Sequence, residues 1–261
     1  MRELIFLPKY NVNRIERFLS RSEFNHQFVQ SGTPVIIMNE FESNNKWTFN
    51  WLKENLGDIN ITVGHGLLKQ NIKDFSKRNT TLGEYIETIF SETEERDYFG
   101  AVDLTKVVPN LKQRIDLHDY YINKKLQKIN FFVGPGNTVS QLHCDYAENI
   151  FSQFVGKKRI QLYSPKTELS KYKMHESFTS CYNLLESEDI SERQVKLLSA
   201  PDYDFVIESG QALYIPFGWW HRVTSLEPSI SIAQWWINYN QFAQRVCFFM
   251  KQAIFLKRRK Y

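Results

Sequence analysis

Apolar positions change their spacing along this chain. Over residues 12–31, Ile15, Phe18, Leu19, Phe24, Phe28 and Val29 recur at helical intervals until Gly32-Thr33-Pro34 interrupts them, so a helix is expected there. The β-branched run Val35-Ile36-Ile37-Met38 predicts a short strand, Trp47 to Leu56 a helix, and Ile59 to Val63 another strand. Thr81-Leu82-Gly83-Glu84 has the form of a capping box and predicts a helix running to about Phe90. Tyr98 to Val102 predicts a strand. From about residue 127 short apolar runs alternate with turns. Ile129 to Val133 stops at Gly134-Pro135-Gly136, and Ile150 to Val155 and Arg159 to Tyr163 flank Gly156-Lys157-Lys158, which reads as a hairpin. Phe205 to Ile207 and Ala212 to Ile215 flank Glu208-Ser209-Gly210-Gln211 as a second strand-turn-strand, and His221 to Ser225 and Ile230 to Ile237 continue the series. Many short strands with regular turns predict a mainly β barrel or jelly roll. Residues 166–203 are polar and irregular and read as a long insert. Phe242, Val246, Phe249, Ala253 and Leu256 then return to helical spacing, which predicts a C-terminal amphipathic helix.

Composition alters this picture only slightly. A chain of 261 residues with 42% hydrophobic and 24% charged residues fits one large globular domain. Aromatics at 15% lean toward sheet. The net charge of +4 is mild, and much of the excess sits in Lys257, Arg258, Arg259 and Lys260. Such a run reads first as a solvated tail and second as a contact for an acidic partner or RNA. Cys144, Cys181 and Cys247 form no CxxC pair and are odd in number, so no disulfide framework is expected and a reducing, cytoplasmic compartment fits. The N-terminal sequence lacks a long apolar core, and no stretch approaches the roughly 20 apolar residues that span a bilayer, so no membrane association is expected.

The chemistry is carried by Gln141-Leu142-His143-Cys144-Asp145. An H-x-D pair on an extended segment puts an imidazole and a carboxylate on one face, because strand side chains alternate. His221, 76 residues beyond Asp145, is the candidate third ligand. Two His and one carboxylate on one face of an octahedron leave three positions open, the arrangement of non-haem iron(II) oxygenases. A lone HxD is a weak signal, and His26, His65, His118 and His175 read as surface or packing residues.

Two longer blocks sharpen the reading. Residues 136–159 and Gly210-Gln211-Ala212-Leu213-Tyr214-Ile215-Pro216-Phe217-Gly218-Trp219-Trp220-His221-Arg222-Val223 resemble the JmjC/cupin-like hydroxylases. They are especially similar to the branch with the asparaginyl hydroxylase of hypoxia-inducible factor. The resemblance covers most of the chain and is tightest over 129–237. It implies a double-stranded β-helix (jelly-roll) core over 126–238, an N-terminal α/β extension over 1–125 and a C-terminal helix over 239–261, together one domain. It implies iron(II) as the metal, with 2-oxoglutarate and dioxygen as cosubstrates. His143, Asp145 and His221 match the iron ligands. Lys158 falls where the family binds the distal carboxylate of 2-oxoglutarate, with Ser140 and Tyr98 at positions that assist it and Asn149 near the metal-binding end. Gln211 replaces a common Asp, and Gln234 falls where an Asn often lies near the site, so that its amide either does similar work or indicates a different pocket. The four tryptophans Trp219, Trp220, Trp235 and Trp236, and the group Phe131, Phe132, Phe151 and Phe154, read as packing residues, with one Trp available to wall a pocket.

A protein or peptide side chain is the first substrate expected, a tRNA base the second and a small molecule the third. Histone demethylation ranks lower, for want of a chromatin-reading module in this sequence. A homodimer through the C-terminal helix is expected from related enzymes. A catalytically silent binding or scaffold cupin is the reading of a different class.

Overall fold

The computed structural model describes residues 8–16, 19–39, 47–65, 76–91, 97–103, 126–145, 147–167 and 200–237. Its first part alternates short elements: β1 (Asn13–Ile15), α1 (Arg21–Phe24) continuing as a π-helical stretch (Asn25–Val29), β2 (Val35–Ile37), α2 (Phe49–Leu56), β3 (Asn60–His65), β4 (Ser76–Thr81), α3 (Leu82–Ile89) and β5 (Asp97–Asp103). Eight strands follow: β6 (Leu126–Gly134), β7 (Val139–Cys144), β8 (Glu148–Val155), β9 (Lys157–Tyr163), β10 (Tyr203–Glu208), β11 (Gln211–Ile215), β12 (Trp220–Ser225) and β13 (Ser229–Trp236).

These eight form two facing sheets. One has the order β10-β9-β12-β7; the other places β11-β8-β13-β6 at the centre of a nine-stranded sheet, extended by β2 and β1 on one side and β5, β3 and β4 on the other. This is a mainly β, jelly-roll core with an α/β extension built onto the edges of its larger sheet. The core between the sheets contains Phe151, Leu213 and Ala233 of the large sheet and Ile160, Leu162 and Ile207 of the small one. The outer face of the large sheet is covered too. Leu52, Tyr85 and Ile86 of α2 and α3 pack on Phe131, Val133 and Ile232, while Phe24 and Val29 pack with Ile150 and Trp236. Coverage on both faces explains why β8 is buried from Glu148 to Phe154 without a polar-out alternation.

Local chemistry sets the helix starts. Ser20 caps α1 by accepting from Glu23 N–H, while the Glu23 carboxylate accepts from Ser20 N–H. Thr48 caps α2, and Thr81 with Glu84 closes the expected box on α3. The helix expected over 12–31 is corrected at its front end: residues 13–15 pair in parallel with β2 instead. Pairing to a sheet edge outweighs a local helical period there. β4, a polar run, carried no strand signal.

The expected hairpins are corrected as well. β8 pairs with β11 and β13, while β9 pairs with β10 and β12. Gly156 therefore turns the chain from one sheet into the other. It sits at φ +78°, and a Cβ there would lie 2.3 Å from the Pro228 carbonyl oxygen. Gly210, at φ +86°, makes the same change of sheet between β10 and β11. Most of the 166–203 insert and the whole of the expected helix with its Phe242, Val246, Phe249, Ala253 and Leu256 seam lie outside the described residues. Among the described residues no helix is long and apolar enough to cross a membrane.

Candidate metal and anion site

His143 near the end of β7 and His221 at the start of β12 face each other directly in the antiparallel register. Their ring centroids lie 4.1 Å apart. Asp145 follows β7 by one residue, and one ligand atom from each of His143, Asp145 and His221 falls within 4.8 Å of the others. His221 Nε2 is 3.7 Å from Asp145 Oδ2. The other ring nitrogen, Nδ1, lies 3.1 Å from the Trp219 carbonyl oxygen, a contact that fixes the ring and leaves Nε2 aimed at Asp145. Burial, then the neighbouring His143, pushes the His221 pKa down to about 4, so its imidazole stays neutral and keeps a lone pair for a metal. Asn149 Nδ2 donates a long hydrogen bond of 3.5 Å to Asp145 Oδ2, and Gly218 N–H donates to the Asp145 carbonyl at 3.2 Å. Two imidazoles and a carboxylate, gathered by two adjacent strands, fit a divalent transition metal with open positions.

Further into the interior lies Lys158, 1% exposed. Its Nζ stands 5.3 Å from the Phe151 ring centroid, 5.9 Å from Phe132 and 6.0 Å from Tyr98. Among the described residues no carboxylate pairs with it, and burial alone lowers its pKa to about 7. Its neighbour Lys157 points the other way, half-exposed and 3.4 Å from Glu208. A buried cation with aromatic rings and no counter-charge fits an anionic guest.

The other expected site residues divide. Tyr98 stands beside Lys158, its ring over Gly100 and Gly134, where an added Cβ would come within 2.6 Å of it. Burial raises the pKa of its phenol. Ser140 is three residues before His143, a spacing that in a regular strand would place the two on opposite faces. A register shift between His221 and Val223 absorbs one residue of β7, so His143 faces His221 and Ser140 faces Val223, both on the interior side. Asn149 is buried beside Asp145. Gln234 is corrected: it pairs with Ile129 and Ile150, which pack on the outer face, whereas Ala233 and Trp235 point inward. Phe132 and Phe151, read as general core, are the ring wall around Lys158. Their position on the same alternating face as Asn130 and Asn149 was the available signal.

A family model described as a cupin-like domain matches residues 21–242. The chain is 32% identical over 233 residues to the Arabidopsis thaliana protein named lysine-specific demethylase JMJ30, covering 84% of this chain and 53% of that protein. It is 30% identical over 247 residues to lysine-specific demethylase 8 of Danio rerio, covering 88% and 58%. It is 22% identical over 242 residues to tRNA wybutosine-synthesizing protein 5 of Gallus gallus, covering 84% and 74%. The chain thus spans little more than half the length of the two demethylase-named relatives.

Proposed function

The chain belongs to the cupin-like domain family, and from that membership we propose that it is an iron(II)- and 2-oxoglutarate-dependent oxygenase that hydroxylates a C–H bond of a protein or peptide side chain. JmjC proteins use iron(II) and 2-oxoglutarate, and the His143–Asp145–His221 triad could bind that metal. The observation that carries the reading is the pairing of this triad with a buried Lys158 that has no carboxylate partner among the described residues.

When bound, iron(II) with 2-oxoglutarate and dioxygen supplies oxidation of an unactivated C–H bond, coupled to decarboxylation of the 2-oxo acid. The chain's part is binding and placement. His143, Asp145 and His221 hold the metal and leave positions open. Trp219 C=O orients His221, and Asn149 orients Asp145. Lys158 neutralises the distal carboxylate, with the hydroxyls of Ser140 and Tyr98 assisting. Phe132 and Phe151 exclude water around that ion pair, which strengthens it.

The side-chain target is supported by the motif likeness to the asparaginyl hydroxylase branch and by relatives named lysine-specific demethylases. A methyl group on lysine nitrogen is one such C–H target. The relative named for tRNA wybutosine synthesis, together with the basic run 257–260, favours a tRNA base as the second reading. The test is succinate formation from 2-oxoglutarate by purified protein with iron(II) and ascorbate, alone and with peptide or tRNA pools, beside His143→Ala. Turnover that vanishes in the variant and rises with peptides supports the proposal; a rise with tRNA alone moves the substrate to RNA. Absence of both turnover and 2-oxoglutarate binding would leave a silent scaffold.

A further inference from the structure

The geometry points to Asn130 as an additional 2-oxoglutarate-binding residue, an inference that rests on the oxygenase reading above. Asn130 lies on β6 between Ile129 and Phe131, both of which pack outward against the α2–α3 layer. Alternation therefore turns Asn130 inward. Its partner on β13 is Ala233, whose partner on β8 is Phe151, and both belong to the interior cluster. The Asn130 side chain is fully buried, and neither Nδ2 nor Oδ1 has a hydrogen-bond partner among the described residues. A buried amide with both groups unmet is costly and uncommon, and it marks a place where a partner is missing.

Its place in the interior identifies that partner. One inward step along β6 is Phe132, under the Lys158 ammonium; one inward step the other way is the row containing Trp235 and Asn149, the latter in contact with Asp145. The row Asn130–Ala233–Phe151 is therefore the middle level between the anion end and the metal end. Ala233 contributes only a methyl group to it, so from β6 across β13 to β8 the Asn130 amide is the polar side chain of that row, which continues on β5 to Asp103. A dicarboxylate held at one end by the triad and at the other by Lys158 passes this level, where Asn130 Nδ2 donates to one of its oxygens. The amide that the family resemblance implied at Gln234 on β13 is supplied instead from β6. Asn149 Oδ1 is also buried without a partner among the described residues, so the same wall offers a second unmet polar atom toward the metal end.

Calorimetric titration of 2-oxoglutarate into the full chain loaded with manganese(II), which does not turn over, tests this. Asn130→Leu removes both polar atoms at similar volume. It should weaken Kd about tenfold while leaving the ligand-free melting temperature unchanged or higher, because an unmet amide is removed. Asn130→Asp keeps the shape but sets a carboxylate against the dianion, and it should weaken Kd further than Leu does; this variant decides the matter if the leucine variant does not fold. An amide with a purely structural role predicts the reverse, a lower melting temperature and unchanged Kd, which would overturn the inference. Lys158→Met separates the role of Asn130 from 2-oxoglutarate binding as such. Loss of binding in Lys158→Met with wild-type affinity in both Asn130 variants overturns the role of Asn130 alone. A wild-type protein that binds no 2-oxoglutarate overturns both.

Discussion

Two ends of one barrel interior solve opposite electrostatic problems. At the triad end, His143, Asp145 and His221 bring lone pairs together, and each of the last two is held by a hydrogen bond, from Asn149 to Asp145 and between His221 and the Trp219 carbonyl. At the Lys158 end, a single ammonium is wrapped in the rings of Phe151, Phe132 and Tyr98 with no carboxylate among the described residues to balance it. One end is an electron-pair donor awaiting a cation and the other a cation awaiting an anion. The difference is what the proposed guest, a 2-oxo acid with two distinct termini, would require. Neither end is explained by stability of the empty protein, since buried unpaired charge and clustered ligands both oppose folding.

The largest effect should come from breaking the triad end. His143→Ala is expected to reduce metal-dependent succinate formation to background, as measured by product quantitation, with the barrel's circular dichroism unchanged. Breaking the other end should cost less in metal binding and more in cosubstrate affinity. Lys158→Met is expected to leave manganese(II) affinity near wild type while weakening 2-oxoglutarate by about a hundredfold, the scale of removing one partner from a buried charge pair. The same variant should raise the melting temperature of the empty protein at neutral pH.

A pH experiment sharpens the second arm. Burial lowers the Lys158 pKa to about 7 from the ordinary lysine value of 10.5. Between those values the unfolded chain holds the extra proton, so this residue makes stability rise as pH increases from about 7 to about 10.5 and imposes its full penalty below 7. Lys158→Met should flatten that rise in thermal melts. An arriving carboxylate favours the charged amine, so 2-oxoglutarate binding should take up a proton near pH 8, visible by calorimetry in buffers of different ionisation enthalpy. The smallest effect belongs outside both ends. Thr48→Ala removes the oxygen that accepts from Trp51 N–H at the start of α2 and should cost about 1 kcal/mol in denaturant unfolding with both binding affinities unchanged.

Much of this organisation was legible in the chain. The H-x-D pair stands out because alternation along an extended segment puts both groups on one face, His221 and Lys158 stand out through the resemblance of their motifs to the JmjC/cupin-like hydroxylases, and most of the strands from β6 to β13 follow from apolar runs punctuated by turns. What escaped depends on pairing, which a linear pattern does not contain. Gly156 and Gly210 look like hairpin turns, yet each passes the chain between sheets, because the partner strands come from far along the sequence. Residues 13–15 have a helical period but gain a sheet edge. Gln234 was displaced from the site by a single residue, the smallest error that reverses a strand's faces. Asn130 and the ring wall of Phe132 and Phe151 looked like an ordinary apolar run, and only the cross-strand rows reveal what they face.

The most direct test is a crystal structure of the full chain grown with manganese(II) and 2-oxoglutarate. The expected result is a metal ion bound by His143, Asp145 and His221, with the 2-oxo acid chelating it and its distal carboxylate against Lys158 Nζ. A metal on other residues, or a cosubstrate whose distal carboxylate lies away from Lys158, would contradict it.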